Sequence, residues 1–235
     1  MTPNPQQLPL SVSLRSDARL DRFVEAEPSP LIPMLANAAK GEANEPFIYL
    51  HGASGSGKSY LLQAVCNAAD VSGLSSIYLP LTERAEYSVE MLDGLEQFDL
   101  LCIDGVDQID GDIFWQEGLF HLYNRVRDAG GVLIVSGDQT PANLSLELAD
   151  LKSRLAWGLS FKLHPISDDQ KVSALQKNAE DRGLQLNDEL ARYLLSRGSR
   201  ELSDQLGYLE ALDQASLQHQ RKLTIPFAKQ VLGWQ

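Results

Sequence analysis

Cysteine is scarce in this chain, two in 235 residues, and histidine nearly so, with four. Cys66 falls in a stretch with helical spacing and Cys102 in an apolar run, so both read as buried, reduced thiols. The histidines are scattered without ligand spacing, which argues against a metal centre built from His or Cys. No stretch approaches the roughly 20 apolar residues of a membrane span. The N-terminal Met-Thr-Pro-Asn-Pro-Gln-Gln lacks the basic and apolar blocks of a secretory signal. A cytoplasmic protein with no membrane contact is expected. An excess of positive charge is missing too: 20 Lys and Arg stand against 32 Asp and Glu, for a net charge of −12. Such a surface repels a phosphate backbone, so DNA is expected only indirectly, through another protein.

What the chain does carry is concentrated in residues 47 to 59, Phe-Ile-Tyr-Leu-His-Gly-Ala-Ser-Gly-Ser-Gly-Lys-Ser. Phe47 to Leu50 reads as a buried strand, and Tyr60-Leu61-Leu62-Gln63-Ala64-Val65 has helical spacing without a breaker. Between them Gly52, Gly57, Lys58 and Ser59 satisfy G-x-x-x-x-G-K-[ST]. Backbone N–H groups of such a loop, together with the helix start behind it, attract phosphate oxygens. Lys58 reaches the outer phosphates, and the Ser59 hydroxyl is a candidate Mg²⁺ ligand. The candidate nucleotide site therefore comprises Gly52, Ala53, Ser54, Gly55, Ser56, Gly57, Lys58, Ser59 and Tyr60.

The rest of the chain divides around this loop. Residues 1 to 20 carry three prolines and read as an extended tail. Within it, Gln7-Leu8-Pro9-Leu10-Ser11-Val12 offers a glutamine amide and apolar side chains to a hydrophobic groove, although a plain solvated tail has the same composition. Residues 21 to 165 alternate strand and helix patterns: a helix near 31–39, then strands at 47–50, 76–81, 99–104, 131–136 and, more weakly, 159–164. This predicts an α/β fold with a five-stranded parallel sheet covered on both faces. After Pro165 the pattern turns wholly helical. Ser167-Asp168-Asp169-Gln170 is a capping box, Asn187 caps a second helix, Ser199 precedes a third, and Thr224-Ile225-Pro226 opens a fourth. Residues 166 to 235 are thus expected to form a small all-helical lid.

Further chemistry sits at strand ends. Asp104 closes an apolar strand, where a carboxylate holds a water of a Mg²⁺ shell; a turn aspartate is the alternative. Gly105 follows it and has no group to polarise an attacking water. Asp107 would substitute only if the chain turned back, so nucleotide binding with slow intrinsic turnover is expected. Asp138 ends the fourth strand, as either a γ-phosphate sensor or an ordinary turn residue. Arg154 is either an arginine finger for a neighbour's nucleotide or one half of a surface ion pair. Arg200 opens a lid helix next to Glu201, and whether it swings onto the phosphates when the lid closes is left open by the sequence.

Taken in order, these pieces resemble the AAA+ superfamily and, within it, the initiator branch typified by DnaA. Phe23-Val24-Glu25 resembles the segment that leads into the nucleotide site, Gly52 to Ser59 Walker A, and Leu101 to Asp104 Walker B. Val132 to Pro141 resembles the sensor 1 strand, Lys152 to Gly158 box VII with its arginine finger, and Arg200-Glu201-Leu202 sensor 2. The resemblance spans about residues 20 to 235. It implies a three-layer αβα P-loop domain with a helical lid, in which Val24, Asp138 and Arg200 join the nucleotide site and Asp104 with Ser59 holds Mg²⁺ through water. The initiator's helix-turn-helix domain is not expected, because the chain stops at Gln235.

A bare module of this type led by a Gln-Leu tail is similar to the members that regulate the initiator. That likeness implies a protein carrying ADP, or another nucleoside di- or triphosphate, whose Gln7, Leu8, Leu10 and Val12 bind the β sliding clamp. Arg154 would then act in trans on the ATP of DnaA, promoting its hydrolysis and blocking re-initiation. Such a protein is an activator of another ATPase rather than an enzyme in its own right, and a self-associated homodimer with a masked tail is compatible with it. A self-sufficient ATPase such as a helicase loader is the competing reading. A DNA-binding initiator fragment is a third, disfavoured by the acidic charge.

Overall fold

A computed structural model describes residues 14–15, 18–199, 202–219 and 221–234. The tail positions Gln7, Leu8, Leu10 and Val12, and also Arg200, lie outside the described residues. The chain folds as two compact units, the first comprising Glu27–His164 with the residues up to Phe23, the second Val24–Ala26 with the residues from Pro165 onward.

In the first unit, the apolar runs become five strands: β1 (Phe47–His51), β2 (Ser76–Pro80), β3 (Leu100–Asp104), β4 (Val132–Gly137) and β5 (Leu159–Lys162). All neighbours pair in parallel, in the order β2-β3-β4-β1-β5. Parallel neighbours require long crossovers. Here α1 (Leu31–Ala38) precedes the sheet, α2 (Lys58–Val71) links β1 to β2, α3 (Ile113–Ala129) links β3 to β4, and α4 (Ala149–Leu155) links β4 to β5.

Strand alternation sends neighbouring side chains to opposite faces, and the core divides accordingly. Ile48, Leu50, Leu100, Cys102 and Ile134 pack with Leu31 and Leu35 of α1 and Leu61, Leu62, Val65 and Cys66 of α2. Tyr49, Leu101, Ile103, Leu133 and Val135 pack instead with Leu119, Leu122, Tyr123 and Val126 of α3 and Leu151 and Leu155 of α4. The result is a three-layer αβα sandwich. Cys66 and Cys102 are both fully buried free thiols, and burial pushes the Cys102 thiol up from its ordinary range.

The crossover from β2 to β3 is made of short 3-10 turns at Leu81–Glu86, Val89–Leu92 and Leu95–Gln97. Met91, Leu92 and Leu95 are buried in the α3 layer. They reach it because α3 has no side chain at Gly118, where a Cβ would lie 2.5 Å from Val89 Cγ2 and 3.0 Å from Leu92 Cδ1.

The second unit is helical: α5 (Asp168–Asp181), α6 (Asp188–Arg197), α7 (Leu202–His219) and α8 (Ile225–Leu232). The capping box forms, with Ser167 Oγ accepting from Gln170 N–H (3.2 Å) and Gln170 Oε1 accepting from Ser167 N–H (2.8 Å). Asn187 and Thr224 cap α6 and α8 through their side chains. Leu175, Leu190, Leu194, Leu209 and Leu212 are the buried centre of this unit. Each such leucine contributes about 1.5–3 kcal/mol on burial. The pairs of Arg192 with Asp169 and Asp188 lie in solvent, where screening leaves them little weight. Apolar packing therefore dominates the stability of this helical unit.

Candidate nucleotide site and arginine finger

The site begins where β1 ends. Gly52 passes so close to the Leu163 carbonyl that any Cβ would collide with it. Gly57 has φ +91, a left-handed conformation that L side chains resist, and a Cβ there would lie 2.6 Å from the Phe23 ring. Gly57 is also the N-cap of α2, and it offers no side-chain acceptor to the N–H groups of the first turn. Those groups are left for an outside acceptor. The Ser56 hydroxyl is buried and has no partner. A loop with orphaned donors at a helix start fits an anionic group.

Lys58 is 9 % exposed. Its Nζ donates to the carbonyls of Gly52 (2.6 Å) and Ala53 (3.1 Å) and to Asp138 Oδ1 (3.0 Å). An ammonium has three N–H donors, so every one is placed, and an arriving phosphate competes with Asp138. The Tyr60 ring stacks with Phe23 at 6.2 Å, and its hydroxyl bonds the Arg19 backbone. Val24 belongs to the second unit.

Asp104, at the end of β3, accepts hydrogen bonds from the hydroxyls of Tyr78 (2.7 Å) and Ser136. Ser136 Oγ in turn accepts from Gly105 N–H at 2.9 Å. Burial, then the Asp104 charge, push the Tyr78 hydroxyl up, while hydrogen bonds with Gln63 and Ser59 act against this. Asp104 is thus held by two hydroxyls at the end of β3, and a single carboxylate of this kind suits a hydrated Mg²⁺ rather than a cage of protein ligands. Among the described residues no cluster of three or more His, Cys, Asp or Glu side chains is built to hold a metal ion.

The chain does turn back after Asp104. Gly105 adopts φ +80 and opens the 3-10 turn Val106–Ile109. Asp107 Oδ1 then accepts the backbone N–H of Asp138 at 3.0 Å. Both carboxylates are felt by Tyr49, whose hydroxyl is pushed up by burial first and by Asp107 and Asp138 second. On the other flank, His51 is pushed below its ordinary range by burial, then by Lys162, His164 and Lys58.

Arg154 is in the last turn of α4, some way from this cluster in sequence and on a different strand connection. Its guanidinium carbon lies 5.2 Å from the Trp157 ring centroid and 6.0 Å from that of Tyr123. It makes no ion pair among the described residues. The start of α4 is held by Gln116, which is fully buried. Gln116 Oε1 accepts from Glu147 N–H (2.9 Å) and Leu148 N–H (3.0 Å), and its Nε2 donates to Ile109 O (3.0 Å). Sequence reasoning missed Tyr78, Ser136 and Gln116. Ser136 had a signal, being the one hydroxyl at the end of an apolar strand; the other two had none.

The fold and site define a P-loop module with a helical companion unit. The family of bacterial DnaA ATPase domains matches residues 32–162, and the Hda lid domain matches residues 168–232. The chain belongs to the bacterial DnaA ATPase family of AAA+ proteins. Solved structures agree in fold. Domain III of the Thermotoga maritima replication initiation protein DnaA superposes with a TM-score of 0.72 at 23% identity, over 94% of this chain and 98% of that one. AMPPCP-bound DnaA from Aquifex aeolicus gives a TM-score of 0.67 at 23% identity, over 88% and 69%. A RuvB mutant from Thermotoga maritima gives 0.62 at 15% identity, over 92% and 71%.

Proposed function

We propose that this chain regulates replication initiation as an Hda-type inactivator of DnaA. It retains a nucleotide, ADP or another nucleoside di- or triphosphate, and stimulates hydrolysis of the ATP bound to DnaA through Arg154 acting in trans. Gln7, Leu8, Leu10 and Val12 tether it to the β sliding clamp, so that it meets DNA only through that ring.

The observation that carries this reading is Arg154. In a chain with 32 carboxylate side chains, its half-buried guanidinium has no carboxylate partner among the described residues and rests on two aromatic rings. A structural arginine in acidic surroundings is normally neutralised. One kept unpaired suits a partner's phosphates, where an arginine finger is worth roughly 10³–10⁵ in rate.

The nucleotide site supports the same division of labour. The loop from Gly52 to Gly57, the start of α2 and Lys58 would hold the phosphates, with Asp138 and Arg200 as further candidates. Ser59 and Asp104 would orient Mg²⁺ through water. Bound nucleotide would supply the phosphate oxygens that the N–H groups at the start of α2 lack. A DnaA of similar fold holds AMPPCP, which supports nucleotide binding here. Gly105 puts no acid beside Asp104, which favours retention over turnover.

One observation favours a second reading, a self-sufficient ATPase: the return of Asp107 to the end of β4 brings a carboxylate towards the phosphate side. Steady-state hydrolysis by the isolated protein at about 1 per second or faster would select it. The regulatory reading is tested by single-turnover phosphate release from ATP-charged DnaA on clamp-loaded DNA. Arg154→Ala is expected to keep nucleotide and clamp binding and to lose the stimulation, by roughly 10³-fold. Equal stimulation by variant and parent would sink the role in trans.

A further inference from the structure

We infer that Tyr123 and Trp157 are positioning residues for Arg154, forming an aromatic cradle that aims the guanidinium while leaving its hydrogen-bond donors free; this rests on the trans-acting role proposed above. The cradle is assembled from both sides. Trp157 N–H bonds the Arg154 carbonyl at 3.1 Å, so one tight turn after α4 folds the indole back beside the side chain three residues earlier. From α3, Tyr123 is buried to 2 % exposure. Its ring stacks on Phe47 of β1 with centroids 4.2 Å apart and planes at 20°. Phe47, Tyr123, Arg154 and Gly158 line one shallow crevice. Gly158 is what permits it, since a Cβ there would press into the Phe47 carbonyl.

The two kinds of support for an arginine differ in what they leave available. A carboxylate takes N–H donors in the guanidinium plane and cancels its charge. An aromatic face attracts the cation through its quadrupole and takes none of the five in-plane N–H bonds. Burial alone does not account for Trp157, which is 66% exposed, nor for Leu159 beside it, 41% exposed. An indole this open contributes little to the core. It is placed to be covered when a second nucleotide-bearing subunit arrives, which excludes water from around the guanidinium and strengthens its pull on phosphate oxygens.

The test is the single-turnover assay with ATP-bound DnaA and clamp-loaded DNA, run as a titration so that maximal rate and half-saturating concentration are read separately. Trp157→Ala is expected to lower the maximal rate roughly tenfold with half-saturation nearly unchanged. Trp157→Phe, which keeps a ring face, should restore most of it. In an Arg154→Ala background, Trp157→Ala should cost nothing further. Because Trp157 is mostly exposed, its variants are expected to unfold at the parent's denaturant midpoint, and loss of that midpoint with loss of rate would overturn the positioning role. A raised half-saturating concentration at full maximal rate would make Trp157 a docking contact only. Arg154→Ala inactive with Trp157→Ala at the parent rate defeats the cradle alone, whereas an active Arg154→Ala defeats the trans role beneath it.

Discussion

Lys58 Nζ lies 3.0 Å from Asp138 Oδ1, a buried ammonium paired with a carboxylate that is 55% exposed. The pair ties the loop after β1 to the end of β4 and occupies the cation that a phosphate would claim. Exchanging one anion for another keeps the ammonium satisfied throughout. Replacing Lys58 by Ala removes a charged donor, worth about 1.5–3 kcal/mol to a charged acceptor. Affinity for a fluorescent ADP analogue is expected to fall roughly 10- to 100-fold. Undiminished affinity would mean that the loop does not hold phosphate.

Gln116 makes a separate prediction about stability. Its amide serves three backbone groups in a fully buried setting: the Ile109 carbonyl and the N–H groups of Glu147 and Leu148. Gln116→Ala strands all three. Each unsatisfied buried group costs about 1–3 kcal/mol, partly relieved by relaxation, so a loss of roughly 2–4 kcal/mol in urea unfolding is expected. A change below about 0.5 kcal/mol would show that other groups or water replace the amide.

The Tyr123 hydroxyl is buried without a hydrogen-bond partner. Its ring, by contrast, stacks on Phe47. Tyr123→Phe keeps the ring and removes the orphan, so the variant is expected to gain about 1 kcal/mol and, under the proposed function, to match the parent in the DnaA hydrolysis assay. A destabilised Tyr123→Phe would expose an unseen partner for that oxygen.

His51 titrates in the neighbourhood of the loop, and the sign follows from its surroundings. Burial and the nearby Lys162, His164 and Lys58 hold it below its ordinary value near 6.5. The unfolded chain therefore takes up this proton first as pH falls. The stability His51 contributes is complete above about 6.5 and is lost as pH drops from there towards its folded value. Saturating ADP brings negative charge to the same cations, so the NMR-detected His51 titration should move upward. A titration unmoved by ADP would place the phosphates elsewhere.

The parts of the fold that could be read in advance are those whose information is local. Val132 to Val135 is a short apolar run rich in β-branched residues and flanked by Gly131 and Gly137, the pattern of a strand buried on both faces, and β4 lies there. Ser167, Asn187 and Thr224 announce helix starts by the chemistry of capping, and each accepts the expected backbone N–H. Residues 81 to 97 carry no single period, and their 3-10 turns are set by burial of Met91, Leu92 and Leu95 against α3, a long-range condition. The same limit applied at the site. That Asp107 returns to Asp138 depends on the positive φ of Gly105, and a glycine permits that conformation without prescribing it. Tyr78 looked like any strand tyrosine until β2 was laid beside β3, opposite Cys102.

The paired thiols of Cys66 and Cys102, sealed between α2 and β3, make the molecule its own stopwatch. An alkylating reagent has to wait until that helix lifts from the sheet, because both sulfurs are inaccessible and burial also holds Cys102 in its unreactive protonated form. Since α2 begins at the phosphate loop, whatever settles on the loop should slow the clock. Occupancy could then be followed by mass spectrometry without any label on the ligand.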